Sequence, residues 1–184
     1  AKMMQGRYEN FYGAYEEGGD EDVESEQYYL RILWDIENVS IPRGVSGFSF
    51  ASNLISHCEE AFRGCKGTDT LCTAFHCPSK RSFSDADGRG LDRACVEQVL
   101  VQMKREDADR KINGRLNREM RLLPPERTCF VLVTSDLDFV ATMKELRGRG
   151  FTVGNLHRAR GFEQARALGG HADWSDHINI VEAR

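Results

Sequence analysis

The chain has 184 residues, of which 40% are hydrophobic and 29% charged, a composition typical of a globular protein with one domain and an appendage. No apolar run approaches the roughly 20 residues that a membrane-spanning helix needs, which excludes that class of protein. The first 29 residues lack the apolar stretch of a secretory signal, so we expect none. Six cysteines without a CxxC pair predict reduced thiols and an intracellular location, cytoplasmic or nuclear, with an organelle left open.

Charge is distributed unevenly along the chain. Residues 1–29 contain two basic and eight acidic residues, whereas the rest of the chain is close to neutral. Segments with a strong excess of one charge and few apolar residues stay solvated. We therefore predict an acidic, disordered leader over 1–29 and one folded domain over 30–184.

Apolar runs and helical periodicities alternate along the chain. In chain order, the predicted strands are Leu30–Trp34, Leu71–Phe75, Val96–Met103, Cys129–Thr134, Phe151–Leu156 and a last short strand at Ile178–Val181. The predicted helices are Ser49–Phe62, one that ends over Leu91–Ala94, Asp107–Leu123, Asp138–Leu146 and Phe162–Leu168. The segment Ser79–Gly90 is rich in Ser, Asp and Gly, and we predict a long loop there.

This alternation predicts an α/β fold with a central parallel sheet and helices on both faces. Strands that are apolar almost throughout are typical of such sheets, because both of their faces are buried. Ligands of these sheets bind beyond the carboxyl ends of the strands. The polar residues that follow the strands are therefore the candidate functional residues.

Acidic residues follow three of the predicted strands. Asp35 ends the first strand, Asp107 and Asp109 follow the third, and Asp136 and Asp138 follow the fourth. Acidic residues are poor strand formers, and like charges gathered at one edge repel each other. A hard divalent cation relieves that repulsion and prefers carboxylate oxygens, so the pattern favours a metal site.

Each of these acids also has a structural interpretation. Asp136 could be the N-cap of the helix that follows it. Asp107 and Asp109 could complement the dipole of their helix. Asp35 could form an Asx turn. Structural and functional interpretations are about equally weighted for any one site, but three such sites at one edge favour the functional one.

A zinc site is a weaker alternative. Cys72 and Cys77 are separated by four residues, with His76 between them and His57 nearby. The spacings of zinc ligands are strict, and this one is unusual.

Trp34, which precedes Asp35, is interpreted as a core residue and not as a platform for base stacking.

Several segments together resemble the NYN domains, which are PIN-like ribonucleases, and the match is best with the limkain-type branch. The resemblance covers about Leu30 to Val181. The matching segments are Leu30–Asn38 (LRILWDIEN) with Ile41-Pro42, Ala108–Ile112 (ADRKI), Val131–Phe139 (VLVTSDLDF) and Leu146–Val153 (LRGRGFTV).

The resemblance implies a sheet of order 3-2-1-4-5 and an acidic pocket that binds Mg²⁺ or Mn²⁺. The residues that match the metal-binding acids of the family are Asp35, Asp109, Asp136 and Asp138. Asn38, three positions after the first of these acids, matches a polar residue that supports it. Asp107 competes for the second position, but the Asp-x-Lys spacing to Lys111 favours Asp109.

Candidate substrate contacts lie near the same edge. Phosphate contacts from Lys and Arg supply much of the affinity for nucleic acids. The basic candidates are Arg43, Arg110, Lys111 and Arg158. Ser135 matches the small hydroxyl residue that precedes the last pair of acids in the family pattern.

These residues predict a metal-dependent endoribonuclease that acts on single-stranded or structured RNA, alone, as a homodimer or within a larger RNA-processing complex. The resemblance implies products with a 5′-phosphate and a 3′-hydroxyl. One alternative is a non-catalytic RNA- or protein-binding module of the same fold. Another is a nucleotide phosphohydrolase, although neither GxGxxG nor GxxxxGK[ST] occurs.

Overall fold

The computed structural model describes residues 27–61, 69–79, 83–103 and 106–157. The strands are β1 (Tyr29–Asp35), β2 (Asp69–His76), β3 (Glu97–Leu100), β4 (Thr128–Val133) and β5 (Thr152–Leu156). The helices are α1 (Gly47–Ala61), α2 (Asp85–Arg93), α3 (Asp107–Glu119) and α4 (Phe139–Gly148), with a short 3-10 helix at Pro125–Arg127. None of the described helices is long and apolar enough to cross a bilayer.

The strands form one sheet in the order β3-β2-β1-β4-β5, and every neighbouring pair is parallel. This confirms the α/β fold with a parallel sheet and the strand order that the resemblance implied. β1 lies at the centre, where Asp35 is opposite Phe75 of β2 and Trp34 is opposite Val133 of β4. The segments that follow β1 and β4 therefore leave the sheet side by side.

Helices cover both faces of the sheet, as predicted. On the face covered by α1 and α2, Trp34 is fully buried, with its ring 5.1 Å from that of Phe50 and its Nε1 donating to the carbonyl oxygen of Val39 at 2.7 Å. Trp34 is thus a core residue, as expected. On the face covered by α3 and α4, Phe130 packs in a second cluster that includes Phe139.

The prediction of a loop over Ser79–Gly90 was wrong in its second half, because α2 begins at Asp85. The hydroxyl of Ser84 accepts from the N–H of Asp87 at 3.1 Å, and the carboxylate of Asp87 accepts from the N–H of Ser84 at 3.0 Å, which is a capping box. A Cβ on Gly90 would lie 2.5 Å from the backbone nitrogen of Phe48. The glycine therefore permits the close packing of α2 on α1, which stabilises a helix of otherwise poor propensity.

Other boundaries differ less. β3 is limited to Glu97–Leu100, shorter than the predicted Val96–Met103, and Tyr29, assigned to the leader, belongs to β1. The remainder of the predicted leader up to residue 26 lies outside the described residues, as do the helix at Phe162–Leu168 and the strand at Ile178–Val181.

The alternative of a zinc site at Cys72 and Cys77 is contradicted by the sheet. Cys72 packs with Leu30 on the face covered by α1 and α2, whereas Cys77 packs with Phe75 on the opposite face. The two sulfurs cannot reach the same ion. Burial also raises the pKa of the Cys72 thiol to about 12, which disfavours the thiolate that a metal requires.

Candidate metal centre

A cavity of about 320 Å³ lies at the carboxyl edge of the sheet. The segments that follow β1, β3 and β4 enclose it, together with the first turn of α3. Its described lining residues, six of them acidic and none of them Lys or Arg, are Asp35, Glu37, Asn38, Gln102, Met103, Glu106, Ala108, Asp109, Asp136 and Asp138. The four acids predicted as metal ligands thus share one cavity, at the edge where ligands of parallel sheets bind.

Three of these acids are close enough to hold one cation. Asp109, Asp136 and Asp138 each offer a carboxylate oxygen, and the three oxygens lie within 4.8 Å of one another. Ligand oxygens of octahedral Mg²⁺ lie about 2.1 Å from the ion, and therefore about 3–4 Å apart. Small rotations of exposed or half-buried carboxylates bring three oxygens into that geometry, so the donor set fits a hard divalent cation.

The segment between β4 and α4 presents two of these carboxylates. The hydroxyl of Thr134 accepts from the N–H of Asp136 at 3.2 Å, and Oδ1 of Asp136 accepts from the N–H of Asp138 at 3.0 Å. Nδ2 of the buried Asn155 donates to the carbonyl oxygens of Thr134 and Leu132 at 3.1 and 2.9 Å. The N-cap position of α4 is Asp138 and not Asp136, and the side chain of Asp138 makes no capping bond. Capping therefore does not account for Asp138.

Asp35 lines the same cavity from the end of β1 but lies outside the group of three oxygens. It is only 1% exposed. Its Oδ2 accepts from Nδ2 of Asn38 at 2.6 Å and its Oδ1 accepts from the N–H of Glu37 at 3.1 Å. Asn38 thus supports Asp35 as expected, and the Asx turn considered for Asp35 is also present. Burial raises the pKa of the Asp35 carboxyl, and the bonds from Asn38 and Glu37 oppose that shift.

Like charges act on Asp109 within the cavity. Burial raises the pKa of its carboxyl most, and the carboxylates of Asp136, Asp35, Asp138 and Glu106 raise it further. A group whose ionised form is disfavoured by four neighbouring acids is stabilised by any cation that enters among them.

The structure separates Asp107 from Asp109. Asp107 is 4% exposed and is not among the cavity-lining residues. Its Oδ2 accepts from the N–H of Gln102 at 2.7 Å, and its Oδ1 accepts from Nη2 of Arg110 at 2.6 Å. These bonds, with that from Lys111, lower the pKa of Asp107 to about 2. Asp109, and not Asp107, is the acid that this helix presents to the cavity.

The predicted substrate contacts do not line the cavity. Arg110 and Lys111 instead pair with Asp107, at 2.6 and 3.2 Å. Arg43 is exposed after β1, and Ser135 is half-buried beside Asp136, but neither is among the described lining residues. Arg158 lies outside the described residues.

Five of the lining residues were not predicted from the sequence. Glu37 and Glu106 add two carboxylates, Gln102 and Met103 form the wall that follows β3, and Ala108 lies in the first turn of α3. A signal was available for Glu37, which stands two residues after Asp35, and for Glu106, which immediately precedes α3. Nothing in the sequence marks Met103 as a lining residue. It is 70% exposed because β3 ends at Leu100, before it, and the sequence did not predict that end.

Comparisons with known proteins support the fold. No family model and no curated protein matches the chain. Among solved structures, the chain is similar to the crystal structure of a protein of unknown function from Vibrio parahaemolyticus, with a TM-score of 0.54 and 16% sequence identity. The similarity covers 78% of this chain and 88% of the other. At that identity the likeness concerns the arrangement of strands and helices alone.

Proposed function

We propose that the protein is a metal-dependent endoribonuclease that hydrolyses phosphodiester bonds of RNA with Mg²⁺ or Mn²⁺. The observation that carries the proposal is the group of three carboxylate oxygens, from Asp109, Asp136 and Asp138, within 4.8 Å at the carboxyl edge of the sheet. The choice of RNA as substrate rests on the resemblance to NYN domains.

The residues divide into two roles. Asp109, Asp136 and Asp138 would hold the cation. When bound, it would supply neutralisation of charge on the phosphodiester and lower the pKa of an attacking water. Asp35 would orient that water, because each of its oxygens accepts one hydrogen bond from the protein and retains a further lone pair. Its raised pKa also suits it to accept a proton.

The same acids disfavour binding of a polyanion without a cation. A phosphate that entered the cavity would meet six acidic residues and, among the described lining residues, no Lys or Arg. A module that only bound RNA through this cavity would gain nothing from these carboxylates. The nuclease is therefore the better explanation of the cavity than the non-catalytic binding module.

The test is cleavage of end-labelled single-stranded and hairpin RNA with Mg²⁺, Mn²⁺ or EDTA. We expect cleavage with either metal, none in EDTA, and a loss of orders of magnitude in Asp109→Asn, which keeps the shape of the side chain and removes one ligand charge. Asp85→Asn is the matched control, because Asp85 is exposed in the first turn of α2 and lies outside the cavity. Cleavage that persists in EDTA, or equally in Asp109→Asn, would overturn the proposal.

A further inference from the structure

We infer that Asp107 is a positioning residue, which fixes the first turn of α3 on the end of β3 and so directs Asp109 into the metal centre. This inference rests on the proposed function, because it concerns the geometry of the same site. Asp107 touches neither the cavity nor the carboxylates within it. Its effect would reach the metal through the backbone that it holds.

The amino terminus of α3 has no side-chain cap. Its N-cap position is Glu106, which has φ 66° and whose side chain makes no capping bond. A non-glycine residue in that left-handed region costs about 1 kcal/mol or more and persists only where surrounding contacts hold it. The contacts of Asp107 are among those that hold this turn.

Asp107 and its partner Lys111 connect α3 to the end of β3. Its Oδ2 accepts from the N–H of Gln102, just after β3, at 2.7 Å. Lys111, one turn further along α3, lies 3.2 Å from that carboxylate and donates to the carbonyl oxygen of Leu100, the last residue of β3, at 2.5 Å. The start of α3 is thus bound to the backbone at Leu100 and at Gln102.

The segment held in this way forms one side of the cavity. Gln102, Met103 and Glu106 line the cavity before Asp107 in the chain, and Ala108 and Asp109 line it directly after. Five of the ten lining residues therefore belong to the segment that Asp107 organises. A shift of this turn would move the carboxylate of Asp109 away from those of Asp136 and Asp138, which belong to the segment between β4 and α4.

The ion pairs of Asp107 also explain why the two basic residues beside Asp109 do not line the cavity. Arg110 and Lys111 compensate the charge of Asp107, which is 4% exposed. These three residues are not among the lining residues of the cavity. Asp107 thus adds no net negative charge to the site while it holds the site in place.

The experiment measures Mn²⁺ binding by electron paramagnetic resonance, without RNA, at a temperature where every variant is folded. Asp107→Asn weakens the acceptor for the N–H of Gln102 and removes the charge that pairs with Arg110 and Lys111. We expect it to raise the Kd for Mn²⁺ about tenfold or more, because Asp109 then loses its position among the other ligands. Glu119→Gln is the matched control, because Glu119 is also a buried acid of α3 paired with arginines, but stands at the opposite end of the helix. It should lose stability yet keep the parental Kd.

The outcomes separate the two proposals. A parent that binds no Mn²⁺ overturns the metal centre itself, and the positioning role with it. A parent that binds Mn²⁺ with an unchanged Kd in Asp107→Asn, or with equal losses in Asp107→Asn and Glu119→Gln, overturns the positioning role alone. Should Asp107→Asn fail to fold, Asp107→Glu takes its place, because it keeps the charge but moves the carboxylate away from the N–H of Gln102. A Kd raised in Asp107→Glu supports the inference, and an unchanged one overturns it.

Discussion

Two groups of charged residues lie at opposite ends of the sheet, on the face covered by α3. At the amino end, Arg31 of β1 pairs with Asp69 at 2.7 Å and with Glu119 at 3.4 Å. Arg115 pairs with Glu119 and Glu97, each at 2.8 Å. Each of these three acids pairs with at least one of the two arginines, so the protein itself supplies their partners, and we call this the balanced end.

The carboxyl end is organised differently. Three carboxylate oxygens approach within 4.8 Å, and the charges that shift the pKa of Asp109 are those of other acids. Repulsion of this kind lowers the stability of the folded state unless something outside the chain compensates it. Acidic residues lie at both ends of the sheet, and α3 contributes to both groups. The two ends differ in what compensates the negative charge, which is arginine at one end and, by our proposal, a cation at the other.

The largest expected effect tests the balanced end. Arg31→Met should lower the free energy of unfolding by about 3 kcal/mol, because it removes the pairs with Asp69 and Glu119 and the bonds to two backbone carbonyl oxygens. Added Mn²⁺ should not change that loss. Urea denaturation in EDTA and in Mn²⁺ measures it. Arg149→Met, which removes an exposed pair with Glu145, is the control and should change stability by about 0.5 kcal/mol or less. Equal losses in the two variants would contradict the distinction.

The next effect tests the acidic end. At a Mn²⁺ concentration of 100 times Kd, the parent should gain about 2.7 kcal/mol of stability. Asp109→Asn should gain much less, because it lacks one ligand charge, while in EDTA it should be as stable as the parent or more so. Thermal melts with and without Mn²⁺ give both values. Equal metal-induced shifts in parent and variant, with RNA cleavage retained, would refute the metal centre.

Most of the fold could be predicted because the central strands β1, β2 and β4 are mainly apolar and largely buried on both faces. The helix α2 could not, since its sequence DADGRGLDR contains one large apolar residue, Leu91. The Ser84–Asp87 capping box is a local signal that was present. What stabilises the helix is the contact of Gly90 with α1, and a contact between distant parts of the chain leaves no periodic pattern.

The positions of the four cavity acids could likewise be predicted, because parallel strands deliver their carboxyl ends to one edge. The partners of Arg110 and Lys111 could not. Asp107 and Asp109 stand two residues apart, and in a helix such residues face different directions. Which carboxylate receives the basic side chains therefore depends on how the first turn of α3 meets β3, and local spacing does not determine that.

The free energy of unfolding should depend on pH through Asp109 at the acidic end. The folded-state pKa of Asp109 is raised above its ordinary value of 3.8, so the folded protein holds this proton more tightly than the unfolded chain. The contribution of Asp109 to stability is therefore full below pH 3.8 and is lost as the pH rises through the folded pKa. In EDTA, parent and Asp109→Asn should be equally stable near pH 3.8 or below, and the variant should gain on the parent toward pH 7.

Urea titrations of both proteins across this range, in EDTA, measure that difference. The lowered pKa of the buried His76 and that of Asp107 affect parent and variant alike, so they cancel in the comparison. A stability difference that stays constant with pH would show that Asp109 experiences no repulsion in the folded protein.

The smallest effect is that of salt. Asp109 and Asp136 are half-buried and Asp138 is exposed, whereas Arg31 and Glu119 are buried. The screening length falls from about 30 Å at 0.01 M salt to about 3 Å at 1 M, and buried pairs are screened much less. In EDTA, NaCl should therefore reduce the advantage of Asp109→Asn over the parent, by less than about 1 kcal/mol, and leave the loss in Arg31→Met nearly unchanged. KCl in place of NaCl should act in the same way, since screening depends on ionic strength and not on the identity of the ion. If salt reduced the stability loss in Arg31→Met as much as the stability gain in Asp109→Asn, both groups would behave as solvent-exposed charges. The difference between the balanced end and the acidic end would then not exist.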